Sequence, residues 1–427
     1  MNEPYENFSS STADPGTGRR TVLKGLAAGT VGLTGIAGTA AAQGTKVAAD
    51  ERALYVWGYA PVLATDGAAR ERFIERTDRF GIDTVYLSWG ALRSASPAAI
   101  GGLSEAAHAA GLAVHAMTGA YGLGATDIAR EVVGEVRAHN DEYGPDAGFD
   151  GLHLNLECAP GDLRPFLESL VALLDERPSI APDLEVSATV AWWWALPDYE
   201  PALARAVAAH PALAASVIMA YWDEPEEVRR RLATIVEGLD APHLLAIETQ
   251  EFPGGASWVT TYEEGWSGLR TIEEAIAADP PGGGYGGIAI HYYESGLAAW
   301  DALRNARFDR ETARPRDRVA VEATVVFDDT FPASAHESDL TVVFDGPKRY
   351  TATTTVTPPS NEPVTASVEW HVPHDAPAGE YAVRATLSDP TVENGDREAV
   401  GRRAEPVVLG ERDLGTLSVL GRGRPGR

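Results

Sequence analysis

The sequence predicts an α/β protein, a (β/α)8 TIM barrel, followed by an all-β immunoglobulin-like sandwich. Three observations carry that expectation. Eight short β-rich apolar runs alternate with helical patterns over about 250 residues, the size and rhythm of such a barrel. No early strand is followed by the GxGxxG turn of an open, doubly wound sheet. Past Trp300 the helical periodicity stops, and short alternating strands separated by turn clusters take over.

The barrel strand candidates are ALYVWGY (53–59), TVYLSWG (84–90), AVHAMTG (113–119), GLHLNLE (151–157), EVSATVAW (185–192), SVIMAY (216–221), LLAIETQ (244–250) and GIAIHYY (287–293). Between them, AARERFIERTDRF sets Phe73, Ile74, Thr77 and Phe80 at helical spacing, and DLRPFLESLVALLDE does the same with Leu163, Phe166, Leu167, Leu170 and Leu174. The barrel domain is assigned to residues 50–305, and the polar, Pro-containing stretch RNARFDRETARPRD reads as the connection to a sandwich at 316–421. Its strands are VAVEATVVF (319–327), LTVVFDG (340–346), RYTATTTVTP (349–358), VTASVEWHVP (364–373) and GEYAVRATLSD (379–389), with weaker ones at EPVVLG and LGTLSVLG. About seven short strands in about 100 residues is the pattern of an immunoglobulin-like or fibronectin-like module.

Residues 1–42 contain Arg19-Arg20 followed by a Gly- and Thr-interrupted apolar stretch and a small-residue cleavage site around Ala40 to Gln43. This pattern resembles a twin-arginine export signal, and the apolar run is shorter than the ~20 residues a spanning helix needs. The expectation is a secreted or cell-surface protein with no membrane span in its mature form. The formal net charge is −27, and only Lys24, Lys46 and Lys348 of the 35 basic residues are lysine. An acidic, lysine-poor composition suits concentrated salt, where the Debye length falls to about 3 Å at 1 M. It supplies no basic patch, which excludes nucleic acid as a partner bound by phosphate neutralisation. The lone cysteine, Cys158, permits no intrachain disulfide and no multi-cysteine metal site, and it reads as a small buried residue at a strand end.

In a barrel of this kind the chemistry sits where the strands end, on the carboxyl face. Those ends offer Trp57, Trp89, Asn155, Glu157, Trp192, Trp193, Tyr221, Asp223, Glu248, His291 and Tyr293. Carboxylates within a ring of aromatics compose a sugar-binding cleft, the aromatic faces meeting the apolar side of sugar rings. Alternation on the fourth strand gives Leu152, Leu154 and Leu156 to the helix layer and turns His153, Asn155 and Glu157 inward. The same parity on the seventh strand places Leu244, Ala246, Glu248 and Gln250 on one face.

Two carboxylates flanking a cleft suit glycosidic cleavage, one protonated to release the leaving oxygen and one ionised to attack or to stabilise the cation. Desolvation in an aromatic pocket raises a glutamate's pKa, which fits the acid role for Glu157; Glu248 is then the nucleophile or electrostatic stabiliser. A structural hydrogen-bond network is the alternative for both, and at least one of the three consecutive tryptophans 192–194 is expected in the core. There is no GxSxG elbow, HExxH pair or Walker lysine. His115, His153 and His291 all lie near strand ends, but isolated barrel histidines are more often hydrogen-bonded core residues, so neither a metal nor a cofactor is expected.

The stretch FDGLHLNLECAPGD resembles the strand-four signature of glycoside hydrolase family 18, the chitinase-like enzymes. Asp150 and Gly151 begin the DGxDxDxE pattern, Glu157 takes the place of the acid, and Met219-Ala220-Tyr221-Trp222-Asp223 resembles the strand-six segment. His153 and Asn155 stand where that pattern has aspartates. In those enzymes the aspartate beside the acid orients the substrate acetamide, so the resemblance implies the acid but not substrate-assisted chemistry. By position Glu157 and Glu248 also resemble the acid/base and nucleophile of clan A retaining glycosidases, although Leu156 stands where that clan has asparagine. The run from Tyr55 to Tyr293 is similar to secreted glycosidase-like barrels without settled activity, and the Pro-Ala-Gly-Glu-Tyr run resembles the turn into a late strand of modules that accompany such enzymes. The resemblances imply an exported glycoside hydrolase acting on a poly- or oligosaccharide, with Asn155, Tyr221 and Asp223 orienting substrate. The rival is a catalytically inactive carbohydrate-binding barrel of the cell surface.

Overall fold

The computed structural model describes residues 51–250, 257–262, 264–297, 300, 302–326, 337–357, 364–389 and 407–421. The expected export signal at 1–42 lies outside them. The chain divides into two compact units: one runs to Ile247 and resumes over Ile272–Tyr293, and the other comprises Glu248–Thr271 and the chain from Glu294 onward.

The barrel strands are β1 (Glu51–Val56), β2 (Thr84–Ser88), β3 (Ala113–Tyr121), β4 (Gly151–Glu157), β5 (Glu185–Ala191), β6 (Ala215–Met219), β7 (His243–Glu248) and β8 (Tyr285–His291). They form a closed barrel in sequence order, with β8 returning to pair in parallel with β1. The expected TIM barrel is therefore present. Its helices are α1 (Ala60–Thr65), α2 (Gly67–Arg79), α3 (Trp89–Leu92), α4 (Pro97–Ala109), α5 (Ala125–Ala147), α6 (Leu163–Ile180), α7 (Pro201–Ala208), α8 (Pro225–Val236) and α9 (Gly265–Ala278).

Local chemistry sets the helix starts. The Asp66 side chain accepts from the Ala68 and Ala69 N–H groups to cap α2, and Ser96 caps α4 ahead of Pro97. The apolar stripe read from α6 is buried in full at Leu163, Phe166, Leu167, Leu170 and Leu174. On α2 the buried set is Ala69, Phe73, Arg76 and Thr77, with Ile74 only partly covered.

The Asp-Gly pair before β4 is a structural bracket. The Asp150 carboxylate accepts from Val114 N–H (2.7 Å) and lies 3.1 Å from His108 Nε2, tying β4 to β3 and α4. Burial pushes this carboxyl up, but those hydrogen bonds outweigh it and hold Asp150 below its ordinary value. At Gly151 a Cβ would meet Glu185 O at 2.4 Å and the His115 ring at 2.7 Å, so only glycine lets the imidazole lie against the strand.

The second unit holds two sheets. One has the order β10 (Thr312–Ala313), β16 (Val407–Val419), β15 (Gly379–Asp389), β12 (Ser338–Asp345), β13 (Tyr350–Val356); the other runs β14 (Val364–His371), β11 (Arg318–Val325), β9 (Leu303–Phe308). Phe344 of one sheet stacks on Trp370 of the other with ring centroids 4.1 Å apart. The stretch read as a polar connection thus carries β9 and β10. Pairing to β11 makes β9 a strand although Arg307 on it is charged and exposed.

Candidate active site

The barrel interior is polar at its centre. His153 of β4 is fully buried; its Nδ1 lies 2.8 Å from Ser187 Oγ, and its Nε2 lies 3.0 Å from Thr189 Oγ1 and 3.1 Å from the Tyr55 hydroxyl. The Tyr86 ring stacks on the imidazole at 4.1 Å. Burial first, then the neighbouring His115 and His291, hold His153 well below the ordinary histidine range, so the ring is neutral. Contacts with β1, β2 and β5 show that the odd-numbered face of β4 points into the barrel, as alternation predicts.

Two residues on, Asn155 is 7 % exposed and its Oδ1 accepts from Thr189 Oγ1 at 2.7 Å. Glu157 closes the strand at the barrel's carboxyl end. It is partly exposed, and among the described residues no hydrogen bond reaches its carboxyl group. Desolvation raises its pKa, and the positive potential of His291 opposes the rise. A partly exposed carboxyl without hydrogen-bonding support, its pKa raised by desolvation, suits the delivery of a proton.

His291 ends β8. Its Nε2 accepts from the Trp57 indole N–H at 3.0 Å, and its ring lies 28° from the Tyr221 plane with centroids 6.0 Å apart. Trp57, Tyr221 and Asp223 are partly exposed, as is Trp193, whose ring meets Trp194 and Tyr199 edge-on. The mouth of the first unit therefore brings together Glu157, His291, Trp57 and Tyr221.

Glu248, at the end of β7, opens the second unit. It is 3 % exposed, and its Oε1 accepts backbone N–H bonds from Thr249 (2.9 Å) and Gln250 (2.8 Å), partners suited to an anionic oxygen.

Three expected site aromatics lie elsewhere. Ser88 continues the inward face of β2, so Trp89 turns outward. It is buried against Phe149 and His139, with its indole N–H donating to Glu135 of α5. Trp192 follows the inward Ala191 and is covered by Arg231 of α8, whose guanidinium carbon lies 4.2 Å from the Trp192 ring centroid and 4.1 Å from that of Trp222. Tyr293 is buried against α2, packs on Phe73, and its hydroxyl accepts from Arg76 at 2.7 Å. Trp194 is wholly buried against Phe166, the core position expected for one of the three. These aromatics stabilise the helix layer and do not line the mouth.

The sequence reading stopped β3 at Gly119 and so missed Tyr121. The strand runs two residues further, pairs Tyr121 with Glu157, and leaves the tyrosine 55 % exposed beside the acid. The continuing alternation of AVHAMTGAY was the available signal. Among the described residues no group of three or more His, Cys, Asp and Glu side chains could hold a metal ion. Burial pushes the Cys158 thiol up to about 12, so it stays protonated and inert.

No family model and no curated protein matches the chain. Among solved structures it is similar to the ChiA C-terminal domain of Legionella pneumophila, at 14 % identity over 46 % of this chain and 79 % of that one, with a TM-score of 0.33. It is also similar to the cell-surface-expressed chitinase ChiW of a Paenibacillus strain, at 12 % identity over 77 % of this chain and 37 % of that one, with a TM-score of 0.35. An FMN-binding beta-glucuronidase from Facaelibacterium prausnitzii covers 89 % of this chain and 57 % of that one at 11 % identity, with a TM-score of 0.36. At these scores the likenesses carry no argument about chemistry. The class of protein, a closed (β/α)8 barrel joined to a β-rich unit, rests on the strand order itself.

Proposed function

We propose that the protein is an exported glycoside hydrolase acting on a poly- or oligosaccharide, with Glu157 as general acid. The observation that carries this reading is the state of Glu157: raised by desolvation, without a hydrogen-bond partner among the described residues, and open at the carboxyl end of β4. Glu248 is assigned the second carboxylate, nucleophile or electrostatic stabiliser, supported by its place at the end of another barrel strand and by its two backbone donors. Asn155, Tyr221 and Asp223 orient the substrate, and Trp57, Trp193 and His291 line its path. Export rests on the Arg19-Arg20 segment and on the acidic composition. Among the described residues no helix is long and apolar enough to cross a membrane.

The β-rich unit is read as immunoglobulin-like. Its support is a buried Tyr381 near the start of a late strand, whose hydroxyl donates back to Pro377 O at 3.0 Å, the arrangement of a tyrosine corner.

A glycan panel incubated in concentrated salt with wild type, Glu157→Gln and Glu248→Gln tests the assignment. Hydrolysis lost in both variants supports it; hydrolysis surviving Glu157→Gln removes Glu157 from the acid role. The engagement of His153 and Asn155 in an internal network favours a second reading, an inactive carbohydrate-binding barrel, and binding without hydrolysis in all three proteins would select it.

A further inference from the structure

Asn155 lies on the inward face of β4, two residues before Glu157, with its amide oxygen toward Thr189. The Thr189 hydroxyl gives its only proton to Asn155 Oδ1 at 2.7 Å. Thr189 Oγ1 then hydrogen-bonds His153 Nε2 at 3.0 Å as an acceptor, which places the proton on Nε2, where it also faces the Tyr55 hydroxyl oxygen at 3.1 Å. With Nε2–H donating, Nδ1 carries the lone pair, and the Ser187 hydroxyl at 2.8 Å donates to it. Each hydroxyl and ring nitrogen along Ser187, His153, Thr189 and Asn155 is thus matched donor to acceptor in one direction. Burial and the Tyr86 ring stacked at 4.1 Å keep the imidazole in place. The column ends at Asn155 Nδ2, which donates no hydrogen bond among the described residues.

We propose that Ser187, His153 and Thr189 are positioning residues that lock Asn155 as a hydrogen-bond donor, so that the glycan group held beside Glu157 is an acceptor oxygen and not an N–H. This rests on the glycan reading above. An amide held by one partner is free to flip, exchanging donor for acceptor at nearly the same shape. A polarised column behind Oδ1 restricts that freedom, because a flipped amide would require the Thr189 hydroxyl, the His153 tautomer and the Ser187 hydroxyl all to reverse together. The side chain then discriminates between ligand groups that are alike in shape and opposite in polarity, the kind of discrimination that buried polar groups provide most strongly.

The first test needs no ligand. Imidazole 15N NMR of the full chain labelled at histidine, with the His153 resonance assigned by its loss in His153→Gln, should show the Nε2–H tautomer; an Nδ1–H tautomer would overturn the proposal. The second uses chitotetraose, cellotetraose and tetragalacturonate as probes in concentrated salt, measured calorimetrically. For whichever probe binds wild type, the near-isosteric Thr189→Val should weaken affinity about 5- to 20-fold, whereas Thr189→Ser, which restores the hydroxyl, should stay within about 3-fold of wild type. Equal affinities for the Val and Ser variants, both folded by circular dichroism, would overturn it. Wild type binding none of the three probes counts against the glycan reading instead, and the tautomer then decides the positioning column alone.

Discussion

The indole N–H of Trp57 donates to Nε2 of His291 across 3.0 Å and joins the carboxyl ends of the first and last barrel strands. His291 is also the group that counters the rise in the Glu157 pKa. Trp57→Phe removes the donor that ties the His291 ring to the end of the first strand. Loss of that tie is expected to loosen the mouth and raise KM on the glycan identified by screening, as read from steady-state kinetics.

Glu157→Gln is expected to lower kcat by at least about 100-fold, the usual contribution of general acid catalysis, while leaving glycan binding in place. It should also change stability with a definite sign. A carboxyl whose folded pKa is raised favours the folded state most below its unfolded value, and that contribution is lost as pH rises through the folded value. Replacing it with a neutral amide should therefore raise Tm at neutral pH and give no such gain below about pH 4. Thermal scans at the two pH values check this.

Tyr293→Phe deletes the hydroxyl that accepts from buried Arg76, and a loss of about 1–3 kcal/mol in denaturant stability is expected, with KM and kcat unchanged. Tyr121→Ala should do the reverse. Its side chain is 55 % exposed beside Glu157, so glycan affinity should fall while the denaturation midpoint stays within experimental error. A kinetic defect in Tyr293→Phe would return that residue to the binding surface.

Asp150→Asn should destabilise the fold by about 1–3 kcal/mol at neutral pH by weakening the bracket to Val114 and His108. Because the folded pKa of Asp150 is depressed, its ionised form contributes above the unfolded value, and that contribution disappears as pH falls through the folded value. The difference between wild type and variant should accordingly shrink in acid, as urea titrations would show. Gly151→Ala should cost more than about 2 kcal/mol or abolish folding, since its Cβ would lie 2.4 Å from Glu185 O.

The barrel was legible because its strands are apolar runs of standard length between strong turn and helix signals, and all eight strands fall within a few residues of their expected places. Parity on β4 was legible for the same reason: Leu152, Leu154 and Leu156 mark the helix side unambiguously. What failed was parity just beyond the strand ends. Trp89, Trp192 and Tyr293 each lie one or two residues past a strand, where the backbone turns into a helix or a tight turn and period two no longer assigns a face. Their cover, Glu135, Arg231 and Arg76, comes from helices distant in sequence, and no local pattern announces it. The role of His153 was hidden similarly, because its partners sit on β1 and β5.

The column of Ser187, His153, Thr189 and Asn155 is built from groups that carry no net charge. Mobile ions weaken attraction between exposed charges, and this chain has a net charge of −27 with ion pairs such as Arg130 with Glu176 at its surface. They have no purchase on neutral hydrogen bonds shut inside a barrel. The outside of the molecule therefore responds to the salinity around it, whereas the neutral column beneath Glu157 is insulated from it.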